Sequence, residues 1–363
     1  MKVLQLVLKW DSGGVERYVE DLVRAAQVQG IDCVVASVAT AVSSDSVEGF
    51  GPLVDGGVKG ALLNRRAIEG FVSDGAYDIV HIHGNNGLAF GFARMATKAG
   101  AKAIVHSHNS AFGGGVKGAK IVFTKMERRF YSKDCAGLLA CSRAAGDFLF
   151  ANRPYRVAPN GVDIARFAFD PAKRVVARDE LGIPLDAPVA GFAASFIDAK
   201  NPLFALEIFK LLAERCPDAC FLVCGDGELL GVFEEGAGSL MEAGRCVCAG
   251  RVADIERYYC AMDVLLAPSK YEGLPINLIE AQTSGLSVVM SDSVTEEAVV
   301  ISELCTRLPL GGGDEAWAAA VECALAGEQK RSSVYEKAVA AAGFSQPECF
   351  QIVFDMYREV VAQ

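Results

Sequence analysis

Two glutamates, Glu272 and Glu280, flank the start of a predicted helix in the C-terminal half of the sequence. Gly273 and Leu274 follow the first of them, and Pro275 suits the first helical turn because that position needs no backbone N–H. The free N–H groups of this turn and the positive end of the helix dipole favour a bound phosphate. Either carboxylate could accept hydrogen bonds from sugar hydroxyls. Taken alone, a glutamate that caps its own helix and a second glutamate on a solvated face would give the same pattern.

The full run of residues 272–281 resembles the donor-site signature E-G-x-P-x-x-x-x-E-A of retaining glycosyltransferases with the GT-B fold, family four of the glycosyltransferases. The resemblance implies that Glu272 grips the transferred sugar, that the Gly-Leu-Pro backbone faces sugar and phosphate, and that Glu280 holds the ribose. It also implies an α/β protein of two Rossmann-like domains that face each other across a cleft. The donor would be a nucleotide sugar, with no metal and no other cofactor.

The length of 363 residues favours two domains, because a single hydrophobic core stops growing at about 250–300 residues. No apolar stretch approaches the roughly 20 residues needed to span a bilayer, and the short run at residues 3–8 indicates a first strand and not a signal peptide. The 12 cysteines include no C-x-x-C pair, so we expect reduced core thiols in a cytoplasmic protein. The net charge of −10 disfavours general binding to nucleic acid.

One local exception to this acidic balance is a segment in which basic and apolar residues are interleaved. Its bases are Lys117, Lys120, Lys125, Arg128, Arg129 and Lys133, and its apolar residues are Ile121, Val122, Phe123, Met126, Phe130 and Tyr131. Such a segment could contact an anionic membrane or a lipid pyrophosphate. A surface helix with solvated lysines and a buried apolar face is an equal alternative. Peripheral contact with the inner face of the plasma membrane therefore stays open.

Short apolar runs alternate with helical patterns along the whole chain, which is typical of parallel α/β units. In the first series, the predicted strands are residues 2–8, 33–38, 79–82, 103–106, 137–140 and 155–158, and the helices include 15–29, 88–99 and 143–151. In the second, the strands are residues 189–193, 219–224, 246–249, 264–267 and 287–290, and helices start near Pro202, Glu228, Ile255 and Pro275. Each series predicts one Rossmann-like domain.

The two series set the predicted domain limits. Residues 1–165 form the predicted acceptor domain, residues 165–173 the linker, and residues 174–345 the donor domain. The last predicted helix, residues 347–361, resembles the family's closing helix, so residues 346–363 are expected to cross back to the first domain. Open parallel sheets bind ligands at the carboxyl ends of their strands, and we expect the chemistry there.

A glycine pair, Gly13 and Gly14, follows the first predicted strand. Glycines between a strand and a helix let a ligand approach the backbone and the helix N–H groups closely, although a simple turn is the alternative. Together with Glu16 the pair resembles the family's G-G-x-E loop, which implies a place under the donor pyrophosphate and beside the acceptor. Glu16 and Arg17 are therefore predicted on the acceptor side.

All four histidines occur in two H-x-H pairs at the ends of neighbouring predicted strands, His81 with His83 and His106 with His108. We expect some of these imidazoles to meet. We take the two side chains of each pair to point to opposite faces of the strand, which disfavours a metal site. The segment of His108 and Asn109 resembles the family's active site after the fourth strand, which implies that His108 contacts the sugar near the reacting centre. His106 and Asn109 are predicted on the acceptor side, and His81 and His83 as structural or acceptor-side residues.

A cation for the donor diphosphate is predicted at Lys200, between a strand and a proline-opened helix. Lys200 resembles the phosphate-binding lysine of the family's G-R-x-x-x-x-K run, but Ser195 stands in place of the arginine. Arg251, in a segment that resembles the family's base-contacting one, could supply the missing charge. Loss of a preorganised charge can cost several kcal/mol of transition-state stabilisation, so Ser195 bears directly on activity.

Two further glycine turns match the family in sequence order. Gly225-Asp226-Gly227 resembles the G-x-G turn near the nucleotide, and Asn160 opens a run that resembles the N-G-[VI]-D loop at the domain junction. An ordinary turn after a strand explains each of them singly. These two turns support the resemblance because they occur in the family's order along the chain.

These segments together predict a retaining glycosyltransferase that moves a sugar from a nucleotide donor, expected to be a UDP-sugar, to a saccharide or lipid-linked saccharide. Residues 105–109 and 291–295 resemble the capsular and exopolysaccharide branch, which implies surface polysaccharide assembly. The family's mechanism is same-face substitution, in which the departing diphosphate oxygen helps to deprotonate the acceptor. Two alternatives stay open: a sugar-nucleotide 2-epimerase on the same fold, and a non-catalytic sugar-nucleotide binder, which Ser195 suggests.

Overall fold

The computed structural model describes residues 1–10, 13–44, 47–55, 60, 64–110, 118–327 and 331–363. The chain divides into two compact units, the first made of Met1–Asn160 and Pro347–Gln363 and the second of Gly161–Gln346. Each unit contains one parallel sheet with helices between its strands. The predicted class, an α/β protein with two Rossmann-like domains, is therefore confirmed.

The first unit is built on a seven-stranded sheet with the spatial order β3-β2-β1-β4-β5-β6-β7. The strands are β1 (Lys2–Val7), β2 (Asp32–Ser37), β3 (Gly49–Phe50), β4 (Ile79–His83), β5 (Lys102–Ser107), β6 (Cys135–Ala140) and β7 (Arg156–Val157). Its helices include α1 (Gly14–Val28), α2 (Arg65–Asp74), α3 (Leu88–Lys98), α4 (Gly118–Tyr131), α5 (Arg143–Phe150) and the C-terminal α14 (Gln346–Ala362).

The central strands of this sheet are covered on both faces, as is typical of parallel sheets. Every residue of β4 is buried, and so is every residue of β1 and β5 except at their first positions. One face packs against apolar side chains of α1 and α14, such as Leu22 and Val353. Polar side chains are buried here as well, and Gln5, His81 and His106 have no solvent exposure. Such groups need hydrogen-bond partners inside the fold.

The second unit is built on a six-stranded sheet with the order β10-β9-β8-β11-β12-β13. The strands are β8 (Val189–Ala193), β9 (Cys220–Cys224), β10 (Cys246–Gly250), β11 (Val264–Ala267), β12 (Ser287–Ser291) and β13 (Cys305–Leu308). The helices include α6 (Ile164–Phe167), α7 (Pro171–Glu180), α8 (Pro202–Arg215), α9 (Leu230–Glu242), α10 (Ile255–Ala261), α11 (Ile276–Thr283), α12 (Asp314–Ala326) and α13 (Ser333–Val339).

Residues 165–173, predicted as a linker, hold most of α6 and the first turn of α7. Two aspartates begin these helices. The side chain of Asp163 accepts a hydrogen bond from the Arg166 N–H, and that of Asp170 accepts one from the Ala172 N–H. An aspartate at such a position is an N-cap signal that the sequence analysis passed over.

Strands β3 and β13 were not predicted. Both lie at an edge of their sheet, β3 with only two residues and β13 with Thr306 and Arg307 in its middle. An edge strand is covered less completely than a central one, so it needs no continuous apolar run and gives a weak signal.

The strand order reverses direction at one place in each sheet, between β1 and β4 in the first unit and between β8 and β11 in the second. In open parallel sheets, ligands bind beside the carboxyl ends of the strands at this switch point. The loops that follow these four strands are therefore the places to look for the predicted residues. None of the described helices is both long and apolar enough to cross a membrane.

Candidate functional site

Apart from Gly13 and Gly14, the predicted donor-binding residues lie in the second unit, and most of them are in the loops after β8 and β11. The first loop contains the short turn Asp198–Lys200, and the second ends at Pro275, the residue before α11. Lys270 joins the loops, because its N–H donates to the Ala199 carbonyl at 2.8 Å and its ammonium pairs with Asp198. The two loops thus form one continuous surface.

Lys200 and Glu272 meet on this surface and form an ion pair. Their side chains are 21% and 11% exposed, so the pair is shielded from most solvent and still within reach of a ligand. Partial burial strengthens interactions with a charged ligand. An ammonium suited to a phosphate and a carboxylate suited to sugar hydroxyls therefore occupy one place, although their roles stay predictions.

Glu280, the second predicted carboxylate, is 6% exposed and accepts a hydrogen bond from the Tyr259 hydroxyl at 3.2 Å. Tyr259 belongs to α10 and is itself buried, so it holds this carboxylate in one orientation. Asn277, in the first turn of the same helix α11, donates from Nδ2 to the Ala193 carbonyl at the end of β8, 3.0 Å away. Helix α11 is thus hydrogen-bonded to α10 and to the end of β8.

Ser195 lies half-buried in the loop after β8, which packs against the predicted Gly225-Asp226-Gly227 turn. Gly225 and Gly227 have φ of +147° and +151°, and a Cβ on Gly227 would lie 2.7 Å from the Phe196 carbonyl oxygen. The turn therefore requires glycine at both positions for conformation and for space. Arg251 is exposed and forms no ion pair with any described residue, so it remains the predicted replacement for the missing arginine.

In the first unit, Gly13 and Glu16 form the cap of α1. The Glu16 carboxylate accepts a hydrogen bond from the Gly13 N–H at 3.1 Å, the reciprocal contact of a capping box. Gly14 is exposed, and an added Cβ would meet no other atom within 4 Å, so open space lies in front of this turn. Arg17 is half-buried in the first turn of the same helix.

A pocket of about 160 Å³ opens beside Glu16, at the ends of β1 and β4. Its polar lining residues include Lys9, Glu16, His83, Asn85 and Asn86. Its apolar lining includes Val15 of α1, Leu88, Ala89 and Phe92 of α3, and residues at the ends of β1 and β4. The pocket therefore lies at the switch point of the first sheet, as the general rule for open parallel sheets predicts.

The histidines correct one expectation. The prediction that the two side chains of each H-x-H pair point to opposite faces of the strand is wrong. Residues two apart in a strand share a face. The ring centroids of His81 and His83 are 4.3 Å apart, and so are those of His106 and His108. Because β4 and β5 are neighbours, all four rings form one buried cluster, with Tyr18 of α1 packed edge-on against it.

Hydrogen bonds fix the protons in this cluster. Gln5 Nε2 donates to the Tyr357 hydroxyl at 3.0 Å and to Cys33 Sγ at 3.2 Å, so its Oε1 is the atom that accepts from His83 Nε2 at 2.8 Å. A neutral imidazole has one N–H, and His83 Nδ1 is then an acceptor. Its partner His108 Nε2, 2.9 Å away, must donate. His83 and His108 therefore each carry their proton on Nε2.

Burial keeps the cluster uncharged. It lowers the pKa of His108 to about 3, with the Asn160 side chain opposing it. It also lowers the pKa values of His81, His83 and His106 well below the ordinary value, and neighbouring histidines add to this effect. Desolvation disfavours the charged form of any imidazole. The four histidines are therefore neutral near pH 7.

Three of these histidines, His81, His83 and His106, have ring nitrogens within 4.8 Å of one another, as a metal site would require. Both ring nitrogens of His83 are already hydrogen-bonded, to His108 and to Gln5. Metal coordination by His83 would therefore break one of these two hydrogen bonds. His81, His83 and His108 are better described as members of a hydrogen-bonded network with Gln5 and Tyr357, against which His106 packs.

Several residues of these sites were not predicted from the sequence, among them Asn85 and Asn86 of the pocket. Gln5 lies in an apolar strand, where its single polar side chain was a usable signal. Tyr259 had no local signal, because its partner Glu280 lies 21 positions away. Asn160 belongs to a recognised motif, but only the tertiary structure places its side chain beside His108. The last predicted residue, Asn109, is exposed directly after His108.

The two parallel sheets with this strand order are those of the GT-B fold, and comparison with known proteins identifies the family. Residues 174–340 match the family Glycosyl transferases group 1, and residues 12–166 match Glycosyltransferase Family 4. A Bacillus subtilis (strain 168) glycosyltransferase named EpsF is 31% identical over 292 residues, which cover 78% of this chain and 75% of the relative. The chain therefore belongs to glycosyltransferase family 4 and is a transferase.

Two other similar proteins carry more specific descriptions. An Escherichia coli relative named UDP-Gal:alpha-D-GlcNAc-diphosphoundecaprenol alpha-1,3-galactosyltransferase is 30% identical over 239 residues, 62% of this chain and 61% of its own length. The crystal structure of Anabaena HepE in complex with UDP-glucose aligns with a TM-score of 0.79 at 18% identity, covering 99% of this chain and all of that one. The second likeness supports the fold.

Proposed function

We propose that this glycosyltransferase moves a sugar from a UDP-sugar, with retention of configuration, to a saccharide or lipid-linked saccharide in surface polysaccharide assembly. The observation that carries the proposal is the Lys200–Glu272 pair, found in the same unit as the buried carboxylate Glu280, because these residues are suited to a diphosphate, a sugar and a ribose. The names of the E. coli relative and of the HepE complex, which mention UDP-Gal and UDP-glucose, support the choice of donor.

In this proposal Lys200 exchanges partners when the donor binds. Its ammonium leaves Glu272 for the diphosphate, where it neutralises the charge that grows as the sugar–phosphate bond breaks. Glu272 then accepts hydrogen bonds from hydroxyls of the transferred sugar. Glu280, held by Tyr259, accepts from the ribose hydroxyls. The departing phosphate oxygen takes the proton of the acceptor hydroxyl, and the acceptor oxygen bonds to the anomeric carbon on the face that the phosphate leaves, which gives retention.

The first unit supplies the acceptor side. Its pocket at the ends of β1 and β4 contains Glu16, one of the predicted acceptor-side residues, and Asn85, which is hydrogen-bonded to the His108 backbone. Gly13 and Gly14 give the ligand access to the start of α1. His106 is fully buried, so its proposed part is to support His108 and not to touch a substrate.

The test is a thermal-shift screen of the protein against UDP, GDP, ADP and their sugar conjugates, followed by assays of nucleotide release. A ligand that binds only the folded state adds about 2.7 kcal/mol of stability at a hundredfold excess over its dissociation constant. We expect a shift with UDP and slow UDP release from one conjugate, and the anomeric configuration of the product, read by NMR, checks retention. A thermal shift with another nucleotide and none with UDP would overturn the proposal that the donor is a UDP-sugar.

A second function, nucleotide-sugar binding without transfer, is favoured by one observation. Ser195 replaces a cation on the leaving group, and the proposed substitute Arg251 lies exposed on a separate loop. A Ser195→Arg variant separates the two functions. If the protein is an enzyme, the added cation should raise the rate of UDP release, whereas in a binder it would change affinity and leave release absent.

Helix α4 supports contact with a membrane. Of the described helix side chains, Ile121, Val122, Met126 and Phe130 are between 39% and 65% exposed. Lys125 and Arg129 are exposed on the same face, whereas Thr124 and Glu127 are buried. The expected alternative, a helix with its apolar face buried, is therefore wrong for these residues. Lys117 and the side chains of residues 118–120 lie outside the described part.

We propose that this face, defined by Ile121, Val122, Lys125, Met126, Arg129 and Phe130, binds the surface of an anionic membrane. Apolar side chains enter the headgroup region and cations attract acidic lipids. In sedimentation with vesicles, the protein should bind phosphatidylglycerol vesicles and not neutral ones, and Met126→Ser with Phe130→Ser should weaken binding. Val232→Ser, at a residue 54% exposed on α9, is the matched control. Equal binding by both variants would contradict this surface.

A further inference from the structure

The pocket in the first unit presents hydrogen-bond donors of known direction. The Asn85 side-chain oxygen accepts from the His108 N–H at 3.0 Å, and that of Asn86 accepts from the Leu88 N–H at 2.9 Å. A side-chain amide has one oxygen and one NH₂ group. Because backbone N–H groups hold both oxygens, the two Nδ2 groups are the parts of these side chains that remain as donors for a ligand in the pocket.

Rigid neighbours hold these two donors in place. Asn85 is fixed by His108, whose ring is hydrogen-bonded to His83, which is in turn bonded to Gln5 of β1. Asn86 is fixed by the first turn of α3. A donor whose direction is set before binding loses little conformational freedom when the ligand arrives. Each of the two donors is therefore held in place before a ligand binds.

The rest of the pocket lining limits which ligand group can accept from these donors. Val15, Ala89 and Phe92 add apolar surface beside the amides. Lys9 and Glu16 place one positive and one negative charge on the lining, so the pocket has no net preference for an anion. A ligand group that fits combines a neutral carbonyl oxygen with a small apolar end. The acetamido group of an N-acetylated amino sugar has both parts.

We propose that this pocket binds the acetamido group of an N-acetylated amino sugar in the acceptor, with Asn85 and Asn86 donating to its carbonyl oxygen and the apolar side chains covering its methyl. The role of this pocket in sugar transfer rests on the proposed function. The binding preference itself needs no transfer, so it is tested separately.

The first experiment measures binding of methyl N-acetyl-α-D-glucosaminide and methyl α-D-glucoside by saturation-transfer NMR, without donor. We expect the acetamido methyl protons to receive the strongest saturation and the glucoside to receive little. Equal saturation of the two sugars, or no saturation of the methyl protons, would overturn the inference. Neither result depends on whether the protein transfers a sugar.

The second experiment removes only the proposed donors. In Asn85→Asp and Asn86→Asp the side chain keeps an oxygen for the backbone N–H and loses the NH₂ group, so the local fold is preserved. Asn152→Asp adds the same charge at an exposed site of the first unit and is the control. Each pocket variant should reduce the preference for the N-acetylated sugar by about tenfold, the value of one hydrogen bond near 1.4 kcal/mol. An unchanged preference in both variants would overturn the roles of these residues.

Transfer assays then connect the pocket to the reaction. With the donor found by the nucleotide screen, the KM for the N-acetylated acceptor should rise in the pocket variants, and the KM for the donor should stay constant. If the protein releases no UDP with any donor, the proposed function fails while the binding result stands. If release is normal and the wild-type protein uses both acceptors equally well, the pocket inference fails alone.

Discussion

The carboxyl ends of the strands carry different chemistry in the two units, although the central strand orders of both sheets follow one pattern. At the switch point of the second unit, Lys200, Glu272 and Glu280 provide formal charges in partly or largely buried positions. At that of the first unit, Gln5 and four histidines form a buried cluster that burial keeps neutral. The site in the second unit contains charged side chains, and the site in the first unit mainly contains neutral hydrogen-bonding groups.

The difference corresponds to what each half of a transfer reaction requires. A leaving diphosphate accumulates negative charge, which a fixed cation stabilises strongly in a site shielded from water. An acceptor sugar is neutral until it reacts, and neutral donors and acceptors of fixed direction recognise it without the cost of burying an ion. The same sheet pattern thus supports two kinds of recognition, because the side chains at the strand ends differ.

The largest expected effect is on the ionic site. Lys200→Ala should lower kcat for UDP release by about 100- to 1,000-fold, because one preorganised charge is lost from the transition state. Lys270→Ala, which removes a neighbouring lysine paired with Asp198, should stay within a fewfold of the wild-type rate. Steady-state kinetics on both variants measures the contrast. Similar losses in the two would mean that the loop junction matters and not the charge at position 200.

A second prediction concerns the neutral site and pH. In the unfolded chain histidines titrate near 6.5, whereas burial lowers the folded-state pKa of His108 to about 3. Between these values only the unfolded state binds the proton, so the free energy of unfolding falls as pH falls below 6.5. His108 alone should contribute a loss of about 2 kcal/mol at pH 5.

Denaturant unfolding at several pH values measures this loss. The other three histidines have pKa values shifted in the same direction and should steepen the slope. His81→Leu removes one of them and should make the pH dependence shallower by up to one proton. A free energy of unfolding that is constant between pH 7 and pH 5 would contradict the buried neutral cluster.

The smallest expected effect concerns Glu280 and its buried partner. Glu280→Ala should weaken UDP binding by about tenfold through loss of hydrogen bonds to the ribose, and Tyr259→Phe by only a fewfold, since it removes the orienting hydroxyl. Calorimetry with UDP and with an analogue that lacks the ribose hydroxyls makes the comparison specific. If Glu280→Ala weakens both ligands equally, the carboxylate does not bind the ribose.

The proposed donor residues of the second unit could be predicted from the sequence because their signals are local. Glu272 and Glu280 are eight positions apart, Glu272 in the loop before α11 and Glu280 within the helix. Their separation therefore depends only on local structure. The sheets were predictable for a similar reason, since central strands leave continuous apolar runs. Edge strands β3 and β13 left no such runs, and the aspartate caps of α6 and α7 were visible but unused.

The sequence by itself thus determined the two-domain α/β class, the family and the carboxylates of the donor segment, because each depends on patterns within a few turns of chain. Only the tertiary structure decided that Lys200 meets Glu272 across 72 positions, that Gln5 reaches Tyr357 near the other end of the chain, and that the histidines form one cluster. These contacts depend on the order of strands in the sheets. Strand order is set by packing over the whole unit, which no local pattern records.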